Sequence, residues 1–304
     1  MSDTPDIHTH RAHLPDLSDQ THYADALRCN RCGFCTSFCP TYLATGDEGL
    51  SPRGRNQAFR ALLEGRLKVL DAERMFSTCL LCGICTSVCF SQVPTAKLMT
   101  VAREKVLADR GEPVFLKVLL RVLLPRPRLL EFFLRPLFLG KRLGVSRFLN
   151  RLGLLSPALA AAEEMVDRLP LRFLRGRLRP APAKAEAVQF LACGPNYLSP
   201  EVGEATAVLL DRGGVRHGCA SNLCCGLPGL SAGDVEAARS LARRNIVELE
   251  KNPEAVVIVD DSSCAATVKD YPALFEWAPA WRSRAEALAA RTKTCREMSG
   301  WKKL

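Results

Sequence analysis

The sequence predicts a mainly helical α+β chain of more than one domain, and three observations carry that reading. Residues 23–112 alternate two tight cysteine runs with stretches of helical periodicity. Residues 113–184 are basic, rich in leucine and cut by prolines. From residue 185 the pattern turns to strand, helix, strand, helix, strand, which argues for a small α/β domain spanning 185–304. A length of 304 residues suits about two domains, and 47% apolar content is ordinary for a globular chain.

Residues 1–22 read as a mobile arm. His8, His10, His13 and His22 lie there, but the surrounding Pro, Asp and Thr offer no scaffold to hold a metal. The start is acidic and polar without an apolar signal core. Fourteen cysteines in an unexported chain imply a reducing compartment in which thiols are available to metal. The expectation is a cytoplasmic protein, with peripheral attachment to the inner face of the cytoplasmic membrane as an alternative.

The cysteine runs come next: Cys29-x-x-Cys32-x-x-Cys35-x-x-x-Cys39 and Cys79-x-x-Cys82-x-x-Cys85-x-x-x-Cys89. This is the bacterial ferredoxin spacing, in which three cysteines of a run hold one [4Fe–4S] cluster and the fourth ligates the other. The rule assigns Cys29, Cys32, Cys35 and Cys89 to one cluster, and Cys79, Cys82, Cys85 and Cys39 to the second. Zinc also binds paired Cys-x-x-Cys, but it takes four ligands per site and leaves the third close cysteine of each run without a use. Loops this short serve a metal better than a disulfide.

The 39 residues between the runs exceed what a compact ferredoxin needs. Ser51-Pro52 reads as an N-cap followed by proline at the first helical position. Ala58, Ala61 and Leu62 continue with helical spacing towards Leu67 and Leu70. After the second run, 96–109 reads as a helix with Leu98, Val101, Ala102 and Val106 on one face, ended by Gly111 and Pro113. Residues 23–112 are therefore expected to form an α-helical ferredoxin domain rather than the small βαβ kind.

The net charge of +10 belongs to one segment: residues 113–179 hold fourteen Lys/Arg against four Asp/Glu. Its leucine- and phenylalanine-rich stretches, 114–124 and 129–139, are broken by Lys117, Arg121, Arg126, Arg128 and Arg135, too often for a bilayer span. One reading is a basic amphipathic surface for anionic lipid or an acidic partner. The other is short helices cut by Pro125, Pro127 and Pro136, packed on their own protein with arginines facing water. Phe132, Phe133 and Phe138 sit in leucine-rich helix, not interleaved with basic residues on a sheet, so no nucleic acid is expected as a partner. Residues 176–184 read as a linker.

In the last part, 188–192 reads as a strand ending at Cys193, and 201–212 as a helix with Val202, Ala205, Val208 and Leu209 on one face. Residues 215–217 read as a short strand, 232–251 as a long helix, and 255–259 as a strand buried on both faces. Cys193, Cys224-Cys225-Gly226 and Asp261-Ser-Ser-Cys264 fall at turns. Strand ends of open parallel sheets are where such domains build sites, so these cysteines can converge. Adjacent cysteines can ligate two irons of one cluster, with Gly226 allowing close backbone approach. Cys295 reads as a bystander.

Both ferredoxin runs, Ser51-Pro52-Arg53-Gly54-Arg55 between them, and the Cys…Cys-Cys-Gly…Cys module together resemble the glycolate oxidase iron–sulfur subunit family, over about Tyr23 to Trp281. That family is related to lactate-utilisation proteins and to the cysteine-rich subunit of heterodisulfide reductase. The resemblance implies an electron-transfer subunit that takes electrons from an FAD-linked dehydrogenase of 2-hydroxy acids and passes them towards quinone. It makes Arg53 and Arg55 candidates for contacts around the clusters or with a partner, against a plain reading as surface arginines. It also implies a third metal site, an iron–sulfur cluster or zinc, at Cys193, Cys224, Cys225, Cys264 and Asp261.

Three departures from the family pattern stand out. Asp261 occupies the first place of the usual closing Cys-x-x-Cys, Phe90 replaces the proline after the second run, and one Cys-Cys-Gly module is present where two are usual. The last implies a shortened member or one whose second module is supplied separately. Competing readings are a disulfide reductase acting at the Cys-Cys-Gly site and a zinc-stabilised interaction module. No Gly-x-Gly-x-x-Gly or Walker loop appears, so hydride chemistry is left to a partner.

Overall fold

The computed structural model describes residues 17–156, 159–161, 163, 169–170 and 172–298. They fall into two units: 17–113 together with Pro228–Val235, and 114–227 together with 236–298.

The first unit is helical. Its elements are α1 (Leu17–Leu27), α2 (Pro40–Thr45), α3 (Pro52–Leu63), α4 (Glu73–Ser77), α5 (Ile84–Ser87) and α6 (Thr95–Arg110). Phe59, Phe76, Leu98, Met99 and Ala102 are fully buried at its centre, and Cys29, Cys79 and Cys89 pack against that core. Ser51 caps α3 as expected, its side chain accepting from the Gly54 N–H at 2.9 Å. The helix stops at Leu63, and Gly65 turns the chain with a left-handed φ of 71°. Leu67 and Leu70 therefore lie outside the helix that the periodicity extended to them. Residues 17–22, expected in the arm, belong to α1. Tyr23 and Ala26 are buried on it, and Lys105 of α6 pairs with Asp19 at 2.8 Å. His8, His10 and His13 lie outside the described residues.

The second unit begins with the basic stretch, which forms α7 (Val114–Val118), a π-helical turn (Leu119–Leu123), α8 (Pro127–Arg142) and α9 (Val145–Arg151). Pro136, expected to cut this stretch, sits inside α8. Proline forfeits one backbone hydrogen bond there without ending the helix. The expected burial of the apolar side chains is also incomplete. Phe138 packs with Phe173 and Tyr197, but Phe132 is 70% and Leu137 64% exposed.

Beyond it lie four parallel strands, β1 (Ala187–Phe190), β2 (His217–Cys219), β3 (Val256–Val259) and β4 (Thr292–Thr294), in the order β2-β1-β3-β4. The register sets Gln189 against Cys219 on one side and Ile258 on the other, and Val259 against Thr294. The helices are α10 (Cys193–Tyr197), α11 (Pro200–Arg212), α12 (Val235–Leu249), α13 (Ser262–Lys269), α14 (Tyr271–Leu274) and α15 (Pro279–Arg291).

Helix α11 forms where expected but buries a different face. Gly203, Thr206 and Leu210 point inwards, while Val202, Val208 and Leu209 are exposed. The reason is packing: a Cβ on Gly203 would lie 2.1 Å from Leu174 Cδ2, and Thr206 donates to Asp260 Oδ1 at 2.7 Å.

Candidate functional site

The two cysteine runs fold alike. Each places a left-handed residue just before its second cysteine, Arg31 (φ 56°) and Leu81 (φ 52°), and a left-handed glycine just after it, Gly33 (φ 81°) and Gly83 (φ 72°). A side chain in that region costs about 1–3 kcal/mol and persists only where the surroundings impose it, as at ligand-binding loops. The signal was in the sequence, since both runs read Cys-x-x-Cys-Gly-x-Cys-Thr-Ser-x-Cys, but spacing alone does not use the glycine. Where Pro40 follows Cys39 it opens α2; Phe90 after Cys89 opens no helix and instead stands 5.1 Å from the Phe34 ring.

The thiols gather across the runs. Burial pushes the Cys35 thiol up to about 11, helped by its neighbours Cys29, Cys89 and Cys32. Cys39 of the first run lines one hollow with Cys79, Cys82 and Cys85 of the second, and Arg55 and Thr95 share its wall. Cys85 is likewise pushed up to about 11, by burial and by Cys79. For Cys39, burial acts upwards but is outweighed by hydrogen bonds from Thr41 and its neighbouring backbone and by the charge of Arg55, leaving this thiol below its ordinary range. Crowded thiols that resist ionisation suit a cationic centre, which deprotonates the sulfurs it binds. The residues present fit two four-thiolate iron–sulfur clusters.

Ser51-Pro52-Arg53-Gly54-Arg55 seats this arrangement. Gly54 leaves room for the loop before it, because a Cβ there would lie 2.1 Å from the Glu48 carbonyl oxygen. The two arginines have different fates. Arg53 is half-buried, pairs with Glu48 at 2.7 Å and reaches the Arg31 carbonyl at 3.4 Å. Arg55 is 1% exposed. It donates to the Met75 carbonyl (2.6 Å), to Thr41 Oγ1 (2.9 Å) and Thr78 Oγ1 (3.0 Å), and to Cys39 Sγ (3.8 Å).

Sequence reasoning missed Arg103. It is buried on α6 and donates to the carbonyls of Phe76 (2.9 Å), Ser77 (2.9 Å), Ser231 (3.1 Å) and Cys79. The signal available was its place on the apolar stripe of α6, four residues after Met99 and three before Val106.

In the second unit, Cys193 follows β1, Cys224 and Cys225 follow β2, and Cys264 follows β3. With β2 on one side of β1 and β3 on the other, the chain crosses in opposite directions between β1 and β3. Open α/β sheets build their sites outside the strand ends at such a switch point. The four thiols act on one another: Cys193 on Cys224, Cys224 on Cys225 and Cys225 on Cys264, while the Cys193 backbone also bonds the Cys264 thiol. The bond with Cys224 is the main cause pushing Cys225 up to about 12, and Cys264 is raised further, first by its bond with Cys225 and then by burial. Among the described residues no three His, Cys, Asp or Glu are gathered to hold a single metal ion.

Asp261 is turned to its own helix, accepting from the Cys264 N–H at 3.0 Å and from Ser263 Oγ at 2.5 Å. It caps α13, and these bonds overcome burial to hold its carboxyl below the usual range. Two buried groups that the sequence did not flag fix the Cys-Cys turn. Asn245 donates to the Cys224 carbonyl (2.9 Å), and the Tyr271 hydroxyl donates to the Cys225 carbonyl (2.9 Å). Gly226, left-handed at φ 97°, permits close approach to Ala238 of α12, 3.3 Å from where a Cβ would lie. Cys295 bonds elsewhere, donating to Asp260 Oδ1 at 3.1 Å.

Three family models match the chain. Residues 25–93 match the 4Fe–4S dicluster domain, 111–166 the linker region of the glycolate oxidase iron–sulfur subunit, and 187–269 the cysteine-rich domain. The glycolate oxidase iron–sulfur subunit of Escherichia coli is 32% identical over 253 residues, 80% of this chain and 58% of its own length. Lactate utilization protein A of an Exiguobacterium species is 36% identical over 108 residues, 34% of this chain and 42% of its own length. A subunit of the dihydromethanophenazine:CoB–CoM heterodisulfide reductase of Methanosarcina mazei is 26% identical over 268 residues, 81% of this chain and 58% of its own length. The chain thus spans less than two thirds of the length of these relatives, and no solved structure matches it. A dicluster domain, a linker of the glycolate oxidase type and a cysteine-rich domain, in that order, make this an iron–sulfur chain related to glycolate oxidase iron–sulfur subunits, lactate utilization protein A and a heterodisulfide reductase component.

Proposed function

We propose that the chain is the electron-transfer subunit of a flavin-dependent 2-hydroxy-acid dehydrogenase of the glycolate or D-lactate type, passing electrons towards quinone. The observation that carries this reading is the crossed gathering of thiols, Cys35 beside Cys29, Cys32 and Cys89, and Cys39 in one hollow with Cys79, Cys82 and Cys85. The glycolate-oxidase-type linker behind it supports the choice of donor. In this reading the two sets bind one [4Fe–4S] cluster each, a group that supplies one-electron storage at a potential set by its surroundings. The left-handed loops hold the sulfurs in place, and the core against Cys29, Cys79 and Cys89 keeps water from one side of the site. Cys193, Cys224, Cys225 and Cys264 are assigned to a third cluster, with Asp261 at its edge. The donor is an FAD-linked subunit, and a second Cys-Cys-Gly module comes from a separate chain.

Anaerobic reconstitution with iron and sulfide tests the reading. About eight irons are expected for the first unit at four per cluster, and about twelve with the third site filled. Cys39→Ser is expected to remove about four of them. Fewer than about six irons in the unaltered protein would overturn the proposal, and one equivalent of zinc without sulfide at the second unit would replace the third cluster by a zinc site. With clusters loaded, glycolate or D-lactate is expected to bleach their absorbance only when the FAD-linked subunit is present.

A further inference from the structure

We propose that Arg55, with Arg103 beside it, is the fixed counter-charge of the Cys39/Cys79/Cys82/Cys85 set and makes that set the deeper electron trap of the two. This rests on the reading that each set holds a [4Fe–4S] cluster.

A guanidinium removed from water loses several kcal/mol of solvation, which proteins ordinarily offset with a carboxylate. Among the described residues no acidic side chain forms an ion pair with Arg55 or Arg103. Their acceptors are two threonine hydroxyls, the Cys39 sulfur and the carbonyls of Met75, Phe76, Ser77, Cys79 and Ser231. Neutral acceptors solvate a cation without neutralising it. The two guanidinium groups are neighbours, Arg55 on the Met75 carbonyl and Arg103 on the next two, Phe76 and Ser77. Two buried like charges side by side call for an anion. The Cys39 sulfur on Arg55 and the hollow that Arg55 lines place that anion at the second cysteine set.

The first set is built differently. The arginine over its loop, Arg53, is solvated and already matched by Glu48. A four-thiolate cluster gains one negative charge on reduction, and net charge and hydrogen bonds to sulfur are among the levers on its potential. A cation held in a low-dielectric wall favours the more negative state far more than a solvated, paired one. Arg55 and Arg103 therefore stabilise the reduced form at Cys39/Cys79/Cys82/Cys85, and an electron entering the pair settles there.

The test is an anaerobic redox titration of the reconstituted full chain, followed by EPR, with iron measured on every sample. The signal of the second set is identified as the one that Cys82→Ser perturbs. The unaltered protein is expected to show two midpoints, the upper belonging to that set. Arg55→Gln is expected to shift its electron equilibrium at least tenfold towards the oxidised form, about 59 mV for one electron. Arg103→Gln shifts it in the same direction, Arg55→Lys retains most of the original value, and Arg53→Gln moves neither midpoint. An upper midpoint on the first set, or one unmoved in Arg55→Gln or Arg103→Gln with iron intact, would overturn the proposal. If Arg55→Gln loses about four irons while Arg55→Lys keeps them, the counter-charge role is supported by assembly. If both lose them, the midpoint in Arg103→Gln decides. Absence of clusters from the unaltered protein would instead sink the cluster reading itself.

Discussion

Glu64 shows how a single charged side chain ties the first unit together. Its carboxylate accepts from Tyr23 Oη (2.9 Å), Arg60 Nε (2.7 Å) and Arg66 Nε (2.8 Å), although its side chain is only 3% exposed. Burial alone would raise its pKa, but the bonds from Arg60, Arg66 and Tyr23 win and lower it from 4.5 to about 2. A carboxyl with a depressed folded value adds stability above its unfolded value, and that stability drains as pH falls through the folded one. Glu64→Gln is therefore expected to cost about 1.5–3 kcal/mol near neutral pH, the scale of hydrogen bonds to a charged group. The Tm gap from the parent protein should close as pH drops from 4.5 to about 2. Acid releases clusters from both proteins, so the difference in Tm is the quantity read; a gap independent of pH would refute the linkage. At this scale the cysteines were legible because their spacing along the chain is the ligand pattern. Arg55 was legible only as one of a pair with Arg53, and Arg103 not at all, because only tertiary packing separates a buried arginine from a more solvated one such as Arg53.

Helix α3 carries most of what the first site needs, and its seating depends on one missing side chain. A Cβ at Gly54 would meet the Glu48 carbonyl oxygen at 2.1 Å and Gly49 Cα at 3.2 Å, backbone atoms that cannot swing aside. Gly54→Ala is expected to lift the start of α3, costing about 1–3 kcal/mol as other overpacked sites do. Because Arg55 is the next residue, the same change should lower iron retention at the Cys39 set; unchanged melting and iron content would show that the loop yields. The N-cap and first-turn proline of α3 were readable because capping is local chemistry. Its end was not, as Leu67 and Leu70 kept the period past Gly65. For α11 the apolar periodicity chose the wrong face, since the sheet side is occupied by Gly203, by Leu210 and by Thr206 bound to Asp260. Pro136 was over-read as a breaker for a similar reason: one lost hydrogen bond does not outweigh the rest of a sixteen-residue helix.

Over the whole molecule, alternating strands and helices disclosed the α/β part, but the strand order β2-β1-β3-β4, which sets Cys193 and Cys264 at a switch point, is not written in local pattern. Charge distribution was legible in full, and it motivates the last expectation. Residues 113–179 carry the net +10 of the chain, and their helices leave Phe115 77% and Phe132 70% exposed. Among the described residues no helix is long and apolar enough to cross a membrane. Exposed rings among lysines and arginines are the composition of a surface that rests on anionic lipid, where each basic residue near the surface contributes about 1 kcal/mol. An acceptor such as quinone, dissolved in the bilayer, would then be reached from the membrane face. The reconstituted chain is expected to sediment with phosphatidylcholine vesicles containing phosphatidylglycerol and not with phosphatidylcholine alone. Binding should be lost in 1 M salt, where the screening length is about 3 Å, and should weaken several-fold in the Phe132→Ser, Phe133→Ser double variant. Equal indifference to both vesicles would assign this face to a protein partner, and the route to quinone would have to pass through that partner.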